Sequence, residues 1–203
     1  VIILVAFITP DGLYLILNEL KELLEKQVKV VIITGFMNNF NSPRVFEFML
    51  RINNLEVRIA DISGYHPKLY IVKHKDGSSS YIIGSSNLTN NALRRNFETN
   101  IYLEYSQNAV IPQQMNELYQ QIYAESQPLS AELLEEYRNK YELARVKLEK
   151  TPSPLAEILV PNSMQKKALV ALNRLREQNQ NKALIISATG SGKTYLSTFA
   201  IKE

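Results

Sequence analysis

The sequence predicts an α/β fold: a mixed sheet flanked by helices, followed by a helical segment and a truncated second α/β unit. Three observations predict it. Strand-length apolar runs alternate with helix-periodic segments through residue 106. A turn signal at Asp76-Gly77 sits between two strand-like runs. Near the end, an apolar run at Ala183–Ser187 feeds a glycine-rich loop and another helix.

The elements follow in order. Val1–Ile8 is a continuous apolar run, read as a buried strand. Leu13–Lys26 carries helical periodicity through Leu13, Leu15, Leu17, Leu20 and Leu24, with Pro10-Asp11-Gly12 as a start signal. Lys29–Thr34 is a second buried strand. Arg44–Ile52 is a helix with Ser42-Pro43 at its mouth, and Leu55–Ala60 is a strand. The hairpin spans 66–88, a short helix Asn90–Arg95, and a closing strand Thr99–Tyr105. Strands separated by helices imply a mixed, largely buried sheet covered on both faces.

Residues 113–149 change character. Met115, Leu118, Ile122 and Tyr123 form one helical stripe, interrupted at Gln127-Pro128. Leu133, Leu134, Tyr137, Tyr141, Ala144 and Leu148 form another. These helices either pack on the first domain or serve dimerisation or coupling. Thr151-Pro152-Ser153-Pro154 reads as a stiff linker. The expected domains are therefore 1–106, a helical extension 107–150, and 151–203. The opening inside a strand and the ending inside a helix read as those of a piece of a longer protein.

Composition bounds the function class. Of 203 residues, 45% are hydrophobic and 21% charged, which fits a globular chain and excludes a disordered one. No apolar run reaches bilayer-spanning length, so no membrane partner is expected. The absence of cysteine excludes disulfides and thiolate zinc sites and makes a reducing, cytoplasmic setting the default. A net charge of +3 permits nucleic acid as a partner without arguing for it.

The chemistry concentrates in residues 64–87. His66 and Lys68, two apart on a strand, share a face. With Asp76-Gly77 as the two central turn residues, His66 would lie opposite Asn87 and Lys68 opposite Ser85. Imidazole, ammonium, hydroxyl and amide would then form one phosphate-binding patch. The other histidine, His74, lies eight residues along, about 26 Å away at roughly 3.3 Å per residue, and cannot serve the same patch. Lys73 and Lys75 read as solvated turn residues or backbone-phosphate contacts. Arg94-Arg95 are better placed to meet phosphates, and Tyr65 either stacks on a base or packs.

His66-Pro67-Lys68 followed by Gly84-Ser85-Ser86-Asn87 resembles the phospholipase D superfamily, whose half-site carries His-x-Lys and then Gly-Ser-x-Asn. Asn96-Phe97-Glu98 extends the match. The resemblance covers about the first half of the chain and implies a phosphodiesterase. In it His66 attacks phosphorus to give a phosphohistidine, Glu98 orients the imidazole, and Lys68 and Asn87 clamp the equatorial oxygens. Ser85 completes the patch. No metal or cofactor is needed at that site. The family's Asp, expected five residues after the lysine, falls at Lys73, a departure that weakens a phospholipid substrate more than a nucleic acid. The family completes its site with a second His-x-Lys, so a homodimer bringing a second His66 is implied.

The second motif is Ala188-Thr189-Gly190-Ser191-Gly192-Lys193-Thr194, a P-loop with Ser187 in place of its first glycine. Gly190, Ser191 and Gly192 would cradle phosphates, Lys193 reach the terminal ones, and Thr194 ligate Mg²⁺. With Gln165 upstream, this resembles the start of a superfamily 2 helicase or restriction-type translocase, in which a glutamine reads the adenine edge. ATP and Mg²⁺ are thus implied for a full motor. The combined expectation is a DNA-cleaving domain fused to an ATP-driven helicase. The alternatives are a catalytically silent DNA-docking module of that motor, or a phosphodiesterase for lipid or other small substrates.

Overall fold

The computed structural model describes residues 1–36, 39–106, 109–150, 160–180, 182–186 and 193–202, with the side chains of 146–150, 193–194 and 202 excepted. Two compact units divide at Lys150 and Thr151.

In the first unit the elements run β1 (Ile2–Val5), α1 (Pro10–Tyr14), α2 (Leu17–Glu25), β2 (Val30–Thr34), α3 (Pro43–Leu50) and β3 (Leu55–Ala60). They continue with β4 (Lys68–Lys73), β5 (Ser79–Gly84), α4 (Asn90–Arg94), β6 (Asn100–Tyr105), α5 (Val110–Ala124), β7 (Ser126–Pro128) and α6 (Ala131–Lys150). The sheet has seven strands in the order β6-β5-β4-β1-β2-β3-β7. β1, β2 and β3 pair in parallel, and the other pairings are antiparallel. This is the expected mixed sheet.

Helices cover both faces because β1 and β2 are apolar on both. One face packs Ile3, Val5, Val30 and Ile32 against Leu13 of α1, Leu20 and Leu24 of α2, Phe46 and Met49 of α3, and Leu134 and Tyr137 of α6. The other packs Ile2, Leu4, Leu69, Ile71 and Tyr81 against Tyr119 and Ile122 of α5. The helices after residue 107 therefore share both cores of this unit. Among the described residues, no helix is long and apolar enough to cross a membrane.

Several elements depart from expectation. The helix expected over Leu13–Lys26 is two helices. Ile16, at φ −117° and ψ 8°, leaves the helical region, and three-residue turns through Leu15→Gly12 and Ile16→Leu13 bonds replace the continuous ladder. β7 was not expected; Gln127-Pro128 reads as a break, yet the segment pairs with the edge of β3, where a proline's missing N–H is tolerated. The opening strand is shorter than Val1–Ile8, since Phe7 and Ile8 leave the ladder to bond side-chain carbonyls.

The second unit holds α7 (Ser163–Glu177) and α8 (Lys193–Lys202). The strand expected over Ala183–Ser187 does not form in its described part: residues 182–186 are irregular, with Leu184 and Ile186 exposed. A strand needs a neighbour for its ladder, and no described strand of this unit runs beside it. The glycine-rich loop from Ser187 to Gly192, including Gly190 and Ser191, lies outside the described residues. Lys193 and Thr194 open α8, their side chains not described. Gln165, the residue expected at an adenine edge, takes part in the cap of its own helix. Asn162 donates its N–H to Gln165 Oε1 at 2.9 Å, and Gln165 returns its N–H to Asn162 Oδ1 at 2.9 Å.

Candidate active site

The hairpin turn sets the site's geometry. Its loop has three residues, Lys75, Asp76 and Gly77, closed by His74 N–H to Ser78 O at 2.9 Å and Gly77 N–H to His74 O at 3.2 Å. Gly77 takes φ 86°, the left-handed position such a loop requires. Asp76 accepts from the Ser78 amide and hydroxyl. This extra loop residue shifts the register by one. Leu69 pairs with Ile83 and Tyr70 with Ile82. Continued toward the site, Lys68 lies level with Gly84, not Ser85, and His66 is not opposite Asn87. A one-residue slip exchanges sheet faces, so Ser85 and Asn87 cannot reach the patch as strand partners. β5 ends at Gly84, and the chain after it carries Ser85 to Glu98 and Asn87 to the Phe7 amide.

His66 is exposed at the approach to β4. Its ring meets the Phe7 ring edge-on, 5.4 Å between centroids. Lys68 Nζ sits 2.7 Å from Nδ1 and 3.1 Å from Nε2 of His66, and 3.0 Å from its carbonyl oxygen. Partial shielding by protein, and second the Lys68 charge, hold His66 below the ordinary imidazole range. Lys68 is itself lowered by desolvation, opposed by the charge of Glu98.

Glu98 does not touch His66. Its carboxylate accepts from Ser85 Oγ and, at 3.0 Å, from Asn96 Nδ2. These two hydrogen bonds, aided by the Lys68 charge, lower its pKa. Its role in this geometry is that of counter-charge to Lys68 and anchor for Ser85. Ser85 Oγ also accepts from Thr99 N–H at 2.9 Å, which fastens the strand end to β6. The imidazole's hydrogen-bond contact is with Lys68, while Glu98 bonds Ser85 and Asn96.

Asn87 Oδ1 accepts the Phe7 N–H at 3.0 Å, so its carbonyl end holds the loop whose ring flanks His66. Behind that loop sits Asn41, a buried side chain that sequence reasoning missed. Its amide nitrogen donates to Ala6 O, Gly35 O and Thr34 Oγ1, and its oxygen accepts from Ile8 N–H at 2.8 Å. An asparagine one residue ahead of a helix-start Ser-Pro carries no strong signal of such a hub. Phe40, exposed and 4.8 Å from the Phe7 ring, was missed for the same reason.

Three further expectations are decided. Lys73 is exposed as expected but ends β4 rather than sitting in the turn, and its Nζ donates to Asn116 Oδ1 of α5 at 2.9 Å. Tyr65 packs, buried, with its hydroxyl on Ile33 O at 2.9 Å. His74, at the far end of the hairpin, has Nε2 2.7 Å from Ser80 Oγ. Arg94 and Arg95 are exposed at the end of α4.

The patch therefore combines an exposed imidazole, an adjacent ammonium, and a hydroxyl and carboxylate behind it. Such a group can receive and attack an anionic phosphodiester. The family model of the cardiolipin synthase, PLD-like domain matches residues 1–123. A model of the type III restriction enzyme res subunit matches residues 158–203. A comparison with curated proteins gave no match. Among solved structures, NucT from Helicobacter pylori is 18% identical, with TM-score 0.47, over 63% of this chain and 80% of that one. Nuc from Salmonella typhimurium, a phospholipase D family member, is 17% identical, with TM-score 0.48, over 64% and 82%. Phosphatidylserine synthase from Haemophilus influenzae Rd KW20 is 19% identical, with TM-score 0.47, over 73% and 40%. Matched over more than half its length by that first family model, the chain belongs to the cardiolipin synthase, PLD-like domain family.

Proposed function

We propose that the first unit is a metal-independent phosphodiesterase acting on DNA, with His66 as nucleophile. The observation that carries this reading is the exposed His66–Lys68 pair. In the first step a neutral imidazole nitrogen of His66 bonds to phosphorus and the leaving oxygen departs with a proton. In the second, water cleaves the phosphorus–nitrogen bond and His66 is restored. Lys68, released from the ring, neutralises the equatorial oxygens, and Asn87 offers its amide from the adjoining loop. Glu98 supplies a counter-charge to Lys68.

The departing oxygen needs an acid that one copy does not supply, and a second His66 from a partner subunit meets that need. The sheet face favours such a partner. Tyr70 pairs with Ile82 and Ile82 with Tyr102, so these share the face of Lys68. Ile82 and Tyr102 are exposed there, and Phe97 lies fully exposed beside Glu98. A second copy seated on this face would cover them and set two imidazoles across one phosphate.

The match over 158–203 supports an attached ATP-dependent motor, with Gly190, Ser191, Gly192, Lys193 and Thr194 holding ATP and Mg²⁺ and Gln165 near the adenine. A motor that moves along duplex would deliver phosphodiesters to the hydrolase. The test is cleavage of DNA in the presence of chelator: the wild-type chain cuts and His66→Ala does not. A second reading, a phospholipid-type substrate, is favoured by the description of the matched family. Hydrolysis of cardiolipin vesicles without cleavage of DNA would select it.

A further inference from the structure

A groove remote from His66 combines rings and unpaired cations. A cavity of about 740 Å³ lies between α2 and α3, and a second of about 340 Å³ adjoins it. Both are lined by Tyr14, Phe48 and Arg51; Lys21 lines the first and Arg44 the second. Tyr14 is 58% exposed, with its ring 4.9 Å from that of Phe48 at a 36° tilt. Among the described residues, no carboxylate pairs with Arg44, Arg51 or Lys21. Glu47, the acid in the smaller cavity, is held by Arg138 at 2.9 Å.

The groove is on the catalytic side of the sheet. Val5 pairs with Lys68 and belongs to the core that α1, α2 and α3 cover, so those helices and the His66 patch share a face. Its near end is tied to the site loop. Pro10 lines the smaller cavity, and its neighbour Thr9 donates its N–H to Leu88 O, one residue beyond Asn87.

We infer that this groove binds a single-stranded nucleic acid segment running away from the His66 site, with a base stacked on Tyr14 and phosphates on Arg44, Arg51 and Lys21. An exposed ring offers every base a π-face, and guanidinium forks match phosphate geometry. Glu25 also lines the larger cavity, but three cations, Lys21, Arg44 and Arg51, outnumber it and the already paired Glu47, a balance that suits a polyanion better than a neutral apolar ligand. The inference rests on the reading of the chain as a nucleic-acid phosphodiesterase and supplies it with a second contact.

The test uses fluorescence anisotropy of a fluorescein-labelled oligothymidylate with the full chain in a His66→Ala background, so that the probe survives. Tyr14→Ala weakens binding about tenfold, the scale of one base–aromatic stack. Arg44→Glu with Arg51→Glu weakens it further and lowers the salt slope by about 0.7 for each phosphate no longer neutralised. With His66 intact, the same groove variants hydrolyse bis(p-nitrophenyl) phosphate as the wild type does. Unchanged oligonucleotide affinity and salt slope in these variants, with unchanged far-UV circular dichroism, overturn the groove. An inert wild type toward the small diester instead overturns the phosphodiesterase reading, while the anisotropy still decides the groove.

Discussion

Lys68 Nζ lies within 3.1 Å of both ring nitrogens of His66, and a neutral imidazole has a lone pair on only one of them. The ammonium sits against both ring nitrogens, and which of them accepts from it depends on the tautomer. Under the proposed function, a phosphate that draws Lys68 onto its own oxygens would free the His66 ring to attack.

The first prediction concerns charge. His66 titrates below its ordinary 6.5, and Lys68→Met moves it up toward that value. Proton NMR can read this directly, because the chain has only two histidines and His66→Ala assigns them. The folded pKa is lower than the unfolded one, so the folded state binds this proton less readily. The site's contribution to stability is complete above 6.5 and is lost as pH falls through the lowered value. Added inorganic phosphate raises the His66 pKa by offsetting Lys68. A titration unmoved by Lys68→Met would remove the pairing from the account.

Glu98→Gln separates the counter-charge role from an imidazole-orienting one. Loss of the carboxylate removes the counter-charge near Lys68 and leaves Ser85 loosely held, and kcat/KM falls about tenfold. The acid limb of the pH profile stays where His66 puts it. A carboxylate that oriented His66 directly would shift that limb as well.

Asn41→Leu tests the hub behind the loop. It strands the Ile8 amide and the Gly35 carbonyl in the interior, while Thr34 Oγ1 still donates to Ala6 O, so unfolding free energy drops by about 2–4 kcal/mol in urea titration. A drop below about 0.5 kcal/mol would mean that water or a shifted loop satisfies those groups.

Gly84→Ala tests the close approach of β5 and β6. An added Cβ would lie 2.2 Å from Thr99 O and 2.4 Å from Asn100 Oδ1. The strands must part, at a cost of about 1–3 kcal/mol, and Ser85 moves off Glu98. Thermal melting and the cleavage rate should fall together; unchanged values for both would place the strands farther apart than described.

The sheet was legible because β1 and β2 are pure apolar runs and β3 alternates Leu55, Val57 and Ile59 with Glu56 and Arg58, and Leu55–Ala60 agrees to the residue with the observed strand. His66 and Lys68 were legible through a spacing of two, which survives any register. Their cross-strand partners were not, because Asp76-Gly77 suits both a two-residue turn and the three-residue loop that forms, and only the closing hydrogen bonds distinguish them. Asn41, Phe7 and Phe40 were invisible for a different reason. They act on groups 33 to 80 residues away in sequence or through a ring edge, and neither leaves a local pattern.

The most direct measurement is mass spectrometry of the chain quenched during turnover of a short DNA substrate with chelator present. The account predicts a phosphonucleotide adduct on the peptide containing His66, absent in His66→Ala. Cleavage that persists in His66→Ala, with no adduct in the wild type, contradicts it.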